Sequence, residues 1–362
     1  MKMGHLTLTL AGDHYAMGRQ HGVQARHLRS QIAQAMESRF HQLELDGADD
    51  QFEQLYRDTR GLLQEIDRPM LAMVQGQAEA LEFEFETLLR YSLATFLRDD
   101  LITRHGVAVE GCTTWAATGS ATVDGRPILA KNRDYHLDHL PLQVMLRLSP
   151  QSGYRYLCSG SAGSPVVFCA GINEAGLAVA DTHVASTDLG PGLPDFSLMM
   201  HLMEEHDTVS SSLDYLRSVP RLGRNNLILA DARGRLAVFE IGHRSYGLSE
   251  TDDGVLVNTN HFVSPELCDC FIDTNAPLLR GNSSARRDKV TGELAAARGE
   301  IGVPFARRLM ATHDGLLASI CRHPLKCDSS ASISASIFEP AKKRMLFCHG
   351  LPCQGEYGEY LL

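Results

Sequence analysis

The sequence predicts an α+β fold built from layers, with a mainly helical first third followed by a region of short strands. Apolar residues recur at helical spacing over 13–45, 52–66, 69–82 and 85–101, and short apolar runs cut by turns begin after Gly111. Because the strands and helices come in separate runs, the pattern favours segregated layers over a doubly wound parallel sheet.

The elements after Gly111 follow from the short apolar runs and from the turn residues between them. We expect strands over 113–117, 127–131, 144–148, 166–170, 177–181, 227–230, 236–241, 255–259, 332–338 and 344–348, and helices over 196–205, 210–217, 284–297 and 304–312. Alternating residues before position 11 predict one early strand. The chain thus divides into a helical segment, 1–111, and a strand-rich segment, 112–362. The helical segment could form a separate domain or pack on the strands as one unit.

Composition and charge exclude several classes of protein. The 362 residues are 44% hydrophobic, which is enough for a large core, and carry a net charge of −10 without basic blocks. This balance argues against a nucleic-acid or anionic-membrane partner. No apolar run is long enough to span a bilayer, and the start of the chain does not resemble a signal peptide. We therefore expect a soluble, cytoplasmic protein.

The nine cysteines predict free thiols rather than a disulfide framework. Their number is odd and no secretory signal precedes them. Neither Cys268 with Cys270 nor Cys321 with Cys327 has the paired spacing typical of a zinc site. From spacing alone we expect no metal and no cofactor, and most of these cysteines are expected to be small core residues.

Cys112 is treated separately because Gly111 precedes it where helices give way to strands. A cysteine at the start of a chain can use its own α-amine, with a pKa of about 8, as the base for its thiol. The same thiol could cut the chain by attacking the preceding carbonyl, and a glycine tolerates the strained backbone that this step needs. A Gly-Cys step alone is more commonly structural.

A second polar cluster, Lys131-Asn132-Arg133-Asp134, follows a turn and a short apolar run. This order is typical of a β-hairpin, which would bring Asp134 beside Cys112. A carboxylate there could hold the α-ammonium or the thiol, while Lys131 or Arg133 carries positive charge toward substrate. Without a supporting motif, a surface ion pair between Asp134 and Arg133 would be the better interpretation.

Several further motifs occur in a fixed order along the chain. They are Gly12-Asp13-His14-Tyr15 with Gly18 and Gly22, Gly111-Cys112-Thr113-Thr114, Asn132-Arg133-Asp134, Gly171-Ile172-Asn173-Glu174-Ala175-Gly176-Leu177, Asn258-Thr259-Asn260-His261-Phe262, Asn282-Ser283-Ser284-Ala285-Arg286, Ser319-Ile320-Cys321-Arg322-His323 and Gly350-Leu351-Pro352. Together they resemble the isopenicillin-N acyltransferase-like (acyl-CoA:6-aminopenicillanic acid acyltransferase) family of N-terminal-nucleophile hydrolases. That family is related to choloylglycine hydrolases and penicillin V acylases.

The resemblance implies a four-layer αββα fold and a set of catalytic roles. Cys112 would be the nucleophile and, through its freed amine, the base, while Asp134 would orient that amine. Asn260 would donate a hydrogen bond to the oxyanion, and Arg286 would support the centre. Cleavage between Gly111 and Cys112 would leave an α subunit, 1–111, and a β subunit, 112–362.

The substrate-binding residues that we predict are Lys131, Arg133, His183 and Trp115. Bile-salt hydrolases have arginine at the position of Lys131 and asparagine at that of His183, so the substrate class is open. For Trp115, core packing is the first interpretation and a pocket wall the second. The expected partner is a small amide or an acyl-CoA-type thioester, and a homo-oligomer is possible.

Two alternatives come from other classes. One is a non-catalytic binding or scaffold member with an uncut chain. The other is a Cys-His hydrolase in which His183 or His261 is the base.

Asn225 and Asn226 are interpreted as a strand-entry turn, and the alternating Ser330, Ser332 and Ser334 as ordinary strand polarity.

Overall fold

The computed structural model describes residues 6–44, 50–97, 111–165, 169–275, 277–325 and 330–362. These residues form ten α-helices and fourteen strands. The helices are α1 (His14–Ala25), α2 (Arg29–Glu44), α3 (Asp50–Ile66), α4 (Arg68–Leu81), α5 (Phe85–Leu97), α6 (Asp195–Glu205), α7 (Val209–Ser218), α8 (Asn282–Ala296), α9 (Val303–Met310) and α10 (Gly315–Ala318).

The strands form two sheets. They are β1 (Leu6–Gly12), β2 (Thr113–Thr118), β3 (Ile128–His136), β4 (Gln143–Pro150), β5 (Tyr156–Ser161), β6 (Ala170–Asn173), β7 (Ala178–His183), β8 (Asn225–Ala230), β9 (Leu236–Ile241), β10 (Tyr246–Thr251), β11 (Gly254–Asn258), β12 (Ser330–Glu339), β13 (Arg344–His349) and β14 (Tyr357–Leu361). The larger sheet has the order β1-β4-β5-β6-β7-β8-β9-β10, and the smaller has the order β11-β2-β3-β12-β13-β14.

The two sheets pack face to face, and helices cover both outer faces. Side chains such as Leu129 and Ile228 meet between the sheets in one apolar cluster. Residues of α1–α7 pack on the outer face of the larger sheet, and residues of α8 and α9 pack on that of the smaller sheet. The predicted four-layer αββα arrangement is therefore confirmed. Among the described residues, no helix is both long and apolar enough to cross a membrane.

The helical segment shares its hydrophobic core with the larger sheet. Strand β1 pairs in parallel with β4, and the helices that follow bury their apolar faces on the same sheet. Helices α1 and α4 approach closely at Gly18 and Gly76, where a Cβ would collide with the backbone of the facing helix. The glycine of the early motif is therefore needed for this helix contact.

Side-chain amides of α1 cover the free edge of β1. Gln24 accepts from the backbone N–H of Thr9 at 3.1 Å and donates to its carbonyl at 2.8 Å. Gln20 makes the same pair of bonds with Ala11 at 2.9 and 2.7 Å. An exposed strand edge invites pairing with other chains, so these amides complete the backbone bonding of the sheet within the molecule.

His21, the neighbour of Gln20, is fully buried and makes the stability of the fold depend on pH. The backbone N–H of Gly163 donates to its Nε2 at 3.1 Å, and burial lowers the pKa of His21 from 6.5 to about 4. The unfolded chain binds a proton near pH 6.5, whereas the folded protein does not until about pH 4. The contribution is therefore complete above pH 6.5 and is lost as pH falls toward 4.

We expect the free energy of unfolding at pH 5 to be about 2 kcal/mol below its value at pH 7 on account of this one histidine. In a His21→Gln variant, which cannot titrate in this range, that part of the pH dependence should disappear. Urea unfolding of both proteins at the two pH values measures it. Equal pH dependence in the two proteins would show that His21 does not carry the effect.

Several element boundaries differ from the sequence-based prediction. β5, β10 and β14 were not predicted. Positions 98–101 of the helix expected over 85–101 lie outside the described residues. The interpretation of Asn225 and Asn226 as a turn was wrong, because both lie in β8 and pair with β7 and β9. Positions 166–168 of one predicted strand lie outside the described residues.

Candidate active site

The β2–β3 hairpin brings the two predicted catalytic motifs together. Thr113 on β2 pairs with Asn132 on β3, and continuing this register places Gly111 opposite Asp134. A Cβ on Gly111 would lie 2.9 Å from Oδ2 of Asp134 and would collide with the guanidinium of Arg322. Only a glycine fits between these two charged groups without displacing them.

The carboxyl group of Asp134 is fully buried and only partly bonded. Ser332 on β12 donates a hydrogen bond to its Oδ1 at 2.5 Å. Its Oδ2 lies 3.9 Å from Nη1 of Arg322 and has no hydrogen-bond partner in the described part of the chain. Burial raises the pKa of Asp134, which the charges of Arg322 and Arg286 oppose. An oxygen with unused bonding capacity thus faces Gly111.

Alternation along the hairpin directs its side chains to two faces. Lys131 and Arg133 point between the sheets, where Lys131 bonds to Asp181 on β7 and Arg133 to Ser161 on β5. By the same register Cys112 lies on the face of Arg133, and both cations interact electrostatically with its thiol group. Positive charge on this side favours the thiolate, the reactive form of cysteine.

Both cations are bound to neighbouring groups. The ammonium group of Lys131 bonds to the carboxylate and the carbonyl of Asp181. Burial alone would lower the pKa of Lys131, but the negative charge of Asp181 outweighs this effect and raises that pKa. Arg133 donates to Ser161 at 2.9 Å and to Gln143 at 3.2 Å. A direct bond from either residue to substrate remains a prediction, and the bonds observed are to protein groups.

Arg286, in the first turns of α8, forms hydrogen bonds to several residues of the site. Its guanidinium donates to the carbonyl of Cys112 at 2.5 Å, to Oγ1 of Thr113 at 2.8 Å and to Oδ1 of Asn260 at 2.9 Å. Asn282, one turn earlier, accepts from its Nε at 2.9 Å. The side chain is fully buried, and burial lowers the pKa of Arg286 to about 10, so it remains charged at neutral pH.

Asn260 follows β11 and is oriented at both ends of its amide. Its Oδ1 accepts from Arg286, and its Nδ2 donates to the carbonyl of His183 at 2.8 Å. A primary amide has two N–H groups, so the second can donate to another oxygen. His183 ends β7, is 8% exposed and packs its ring edge-on against Phe96 at 5.8 Å.

Asn226 holds the loop that carries Asn260. From β8, its Nδ2 lies 3.0 Å from Oδ1 of Asn258, 3.1 Å from the carbonyl of Thr259 and 3.3 Å from that of His261. This amide therefore anchors the loop on the larger sheet. The same Nδ2 also lies 3.3 Å from Oγ1 of Thr182 on β7, and these contacts with protein groups correspond to a positioning role.

Trp115 does not form a pocket wall. It is fully buried on the helix-facing side of β2, where its Nε1 donates to Sδ of Met310 at 3.1 Å and its ring meets Phe305 edge-on. Since Cys112, by the register of the hairpin, lies on the other face of the smaller sheet, the predicted substrate contact of Trp115 is corrected to core packing. The helix–sheet core simply requires a large apolar side chain at this position.

Three supporting residues were missed or undervalued from the sequence. They are Ser332, which bonds to Asp134; Arg322, whose guanidinium lies next to Gly111 and 3.9 Å from Asp134; and Asn226. Each is far from its partner along the chain. The motif containing Arg322 was the only local signal for that residue.

The comparison with protein families decides the family. Residues 121–354 match the family described as acyl-coenzyme A:6-aminopenicillanic acid acyl-transferase. The chain belongs to this family. The matched region includes Asp134, Asn260 and Arg286, and it begins after Cys112. By its description, the family is one of acyltransferases.

Solved structures give more distant similarities. The family member is similar to a mutant of the conjugated bile acid hydrolase from Clostridium perfringens, with 14% identity and a TM-score of 0.46, over 69% of this chain and 97% of that one. It is also similar to penicillin V acylase from Agrobacterium tumefaciens, with 17% identity and a TM-score of 0.45, over 66% and 83% of the two chains. The comparison with curated proteins gives no match.

Proposed function

We propose that this family member cuts its own chain between Gly111 and Cys112 and then uses Cys112 as an N-terminal nucleophile against small N-acyl compounds. The observation that carries the proposal is the position of Asp134. Its buried Oδ2, without a hydrogen bond in the described structure, faces Gly111. Cleavage would create an ammonium group at Cys112, next to that oxygen. A new cation beside an incompletely satisfied buried carboxylate is stabilised by their charges.

Self-cleavage would begin with the thiol of Cys112 attacking the carbonyl carbon of Gly111. The C–N bond breaks, the thiol proton passes to the leaving amine, and a thioester joins Gly111 to the sulfur. Water then hydrolyses the thioester, which releases the carboxylate of Gly111 and restores the thiol. Arg286 holds the carbonyl of Cys112 throughout, so the new chain start would stay in place.

Turnover would use the same sulfur on an external carbonyl. The free α-amine accepts the thiol proton, the sulfur attacks the acyl carbon, and the developing oxyanion receives the second N–H of Asn260. Collapse expels the amine of the substrate, protonated by the α-ammonium group, and leaves an acyl group on Cys112. Water or a second amine then takes the acyl group, so one site serves hydrolysis and transfer.

The substrate class follows from this chemistry and from the family name. An N-acyl amide or an acyl-CoA-type thioester would acylate Cys112. The 1–111 and 112–362 fragments would remain together as α and β subunits of one precursor. Hydrolysis needs no second pocket, so we assign it as the basal reaction.

Intact-mass spectrometry of wild type beside Cys112→Ala tests the proposal. Wild type should give fragments 1–111 and 112–362, while Cys112→Ala should stay whole and inactive toward a panel of chromogenic N-acyl amides. Cys268→Ala, which changes an exposed cysteine outside the site, should process normally. A wild-type chain that stays whole on incubation would remove the α-amine base and with it this mechanism.

The Cys-His alternative is less well supported by the described site. His261 contacts Ser283 at 2.7 Å, and burial together with Arg287 and Arg286 lowers the pKa of His261 to about 4. A base with this pKa takes up a proton poorly at neutral pH. An uncut chain that still hydrolyses amides would nevertheless favour this interpretation, and an uncut inactive chain would favour the binding or scaffold interpretation.

A further inference from the structure

Four potential metal ligands that are not among the predicted catalytic residues converge at the C-terminal end of the fold. The ligand atoms of His313, Cys321, His323 and Cys353 all lie within 4.8 Å of one another. Nε2 of His323 is 3.0 Å from Nε2 of His313 and 3.3 Å from Sγ of Cys353. The four residues come from three separate stretches of chain, after α9, after α10 and after β13.

These separations fit a tetrahedral site. Zinc binds histidine nitrogen at about 2.0 Å and cysteine sulfur at about 2.3 Å, so tetrahedral N···N and S···S distances are about 3.3 and 3.8 Å. The N···N separation of 3.0 Å between His313 and His323 is close to the first of these values, and no two ligand atoms of the cluster lie more than 4.8 Å apart. Two sulfurs and two imidazoles in tetrahedral array are the donor set typical of zinc.

The backbone around the cluster is held in place. The backbone N–H of Cys321 donates to the carbonyl of Thr312 at 3.0 Å. The backbone N–H of Arg322 donates to Oγ of Ser332, and the backbone N–H of Ser332 donates to the carbonyl of Arg322. Cys321 is fully buried, whereas both histidines are exposed at a cavity of about 540 Å³. An ion could therefore enter from solvent and meet ligands that are already assembled.

We infer that His313, Cys321, His323 and Cys353 form a four-coordinate zinc site. Binding would release the two thiol protons to solvent, and two thiolates with two neutral imidazoles would balance the charge of the ion. With all four positions taken by protein, the ion would act as a structural cross-link rather than a catalyst. The sequence expectation of no metal considered spacing along the chain, which does not reveal ligands from three stretches.

The zinc site would also position one group at the proposed cleavage site. Arg322 lies between the ligands Cys321 and His323, and its guanidinium is 3.9 Å from Asp134 and adjacent to Gly111. Fixing both neighbours of Arg322 would limit the movement of that guanidinium. The ion would thus connect the C-terminal segments to the environment of Asp134 without touching substrate.

Metal analysis of the full-length, tag-free protein tests the site independently of activity. Protein purified without chelator should contain about one zinc per chain, and reduced apo-protein should take up one equivalent of Co²⁺ with the intense visible bands of tetrahedral thiolate coordination. Cys353→Ser and His323→Gln, both at partly or fully exposed positions, should lose this signal. Cys268→Ser should keep it, because that thiol is outside the cluster.

Three results would overturn the inference. One is reduced apo-protein that binds neither ion. Another is a Cys321–Cys353 disulfide in freshly purified protein, found by thiol counting before and after reduction. The third is unchanged binding in the Cys353→Ser and His323→Gln variants. None of these outcomes depends on self-cleavage, so failure here is distinguishable from failure of the proposed function.

Discussion

Asp134→Asn is expected to leave most of the chain uncut and to lower the turnover of any cut protein by about 10²–10⁴-fold, the range typical of losing acid–base assistance. Asparagine has nearly the same shape and can still meet Ser332, but it carries no negative charge. The ammonium group formed at Cys112 would then lack its counter-charge, while Arg322 and Arg286 would remain beside it. Both the cleavage product and the positioned amine lose stabilisation.

The measurement is a time course of the uncut fraction by intact mass, followed by kcat and KM of the cut fraction on the best amide substrate. Asp124→Asn is the matched control, since Asp124 is exposed in the turn of the same β2–β3 hairpin. It should process and turn over like wild type. Normal processing and turnover of Asp134→Asn would show that this carboxyl does not hold the amine.

Asn260→Ala is expected to reduce kcat by about 10²–10³-fold, the usual effect of removing one oxyanion donor. KM should change less, because the N–H is needed most when charge develops on the oxygen. The alanine substitution also removes the hydrogen bond that Asn260 accepts from Arg286, so a second variant is required. Asn260→Asp keeps an oxygen for Arg286 and removes both N–H donors.

Steady-state kinetics of the two variants separate these effects. If donation to the oxyanion is the role of Asn260, the fall in kcat of Asn260→Asp should be at least as large as that of Asn260→Ala, because the new carboxylate also repels the oxyanion. Recovery of activity in Asn260→Asp would instead assign the residue to holding Arg286. Intact mass of each variant reports whether self-cleavage needs the same amide.

Strong local patterns were predictable, and long-range partners were not. Alternation and turn residues located the β2–β3 hairpin, and ordered motifs located Asp134, Asn260 and Arg286. Strand β5 was missed because it is buried on both faces and contains small polar residues, so it has no alternation. Strands β10 and β14 lie at the sheet edges, where polar residues on both faces weaken the pattern.

The direction of each side chain was the other property that could not be predicted from the sequence. The predicted strand ended at Lys131, whereas β3 continues to His136, and the paired sheets show which layer each side chain of this polar cluster reaches. Asn132 donates to the carbonyls of Met310 and Ile320 on the helix side, while Lys131 and Arg133 bond to the larger sheet. The converging ligands of the proposed zinc site were hidden for the same reason.

The parallel pairing of β1 with β4 has a consequence for refolding. In a chain cut as proposed, β1 and α1–α5 would belong to one polypeptide and every other strand to another. Before cleavage, folding of the chain is a unimolecular reaction. Afterwards, recovery from heat or denaturant would require two polypeptides to meet, so its rate would depend on concentration. The lifetime of the folded, cut protein would therefore be set by its rate of unfolding. In dilute solution the separated fragments would not reassociate, so any loss of structure would be permanent.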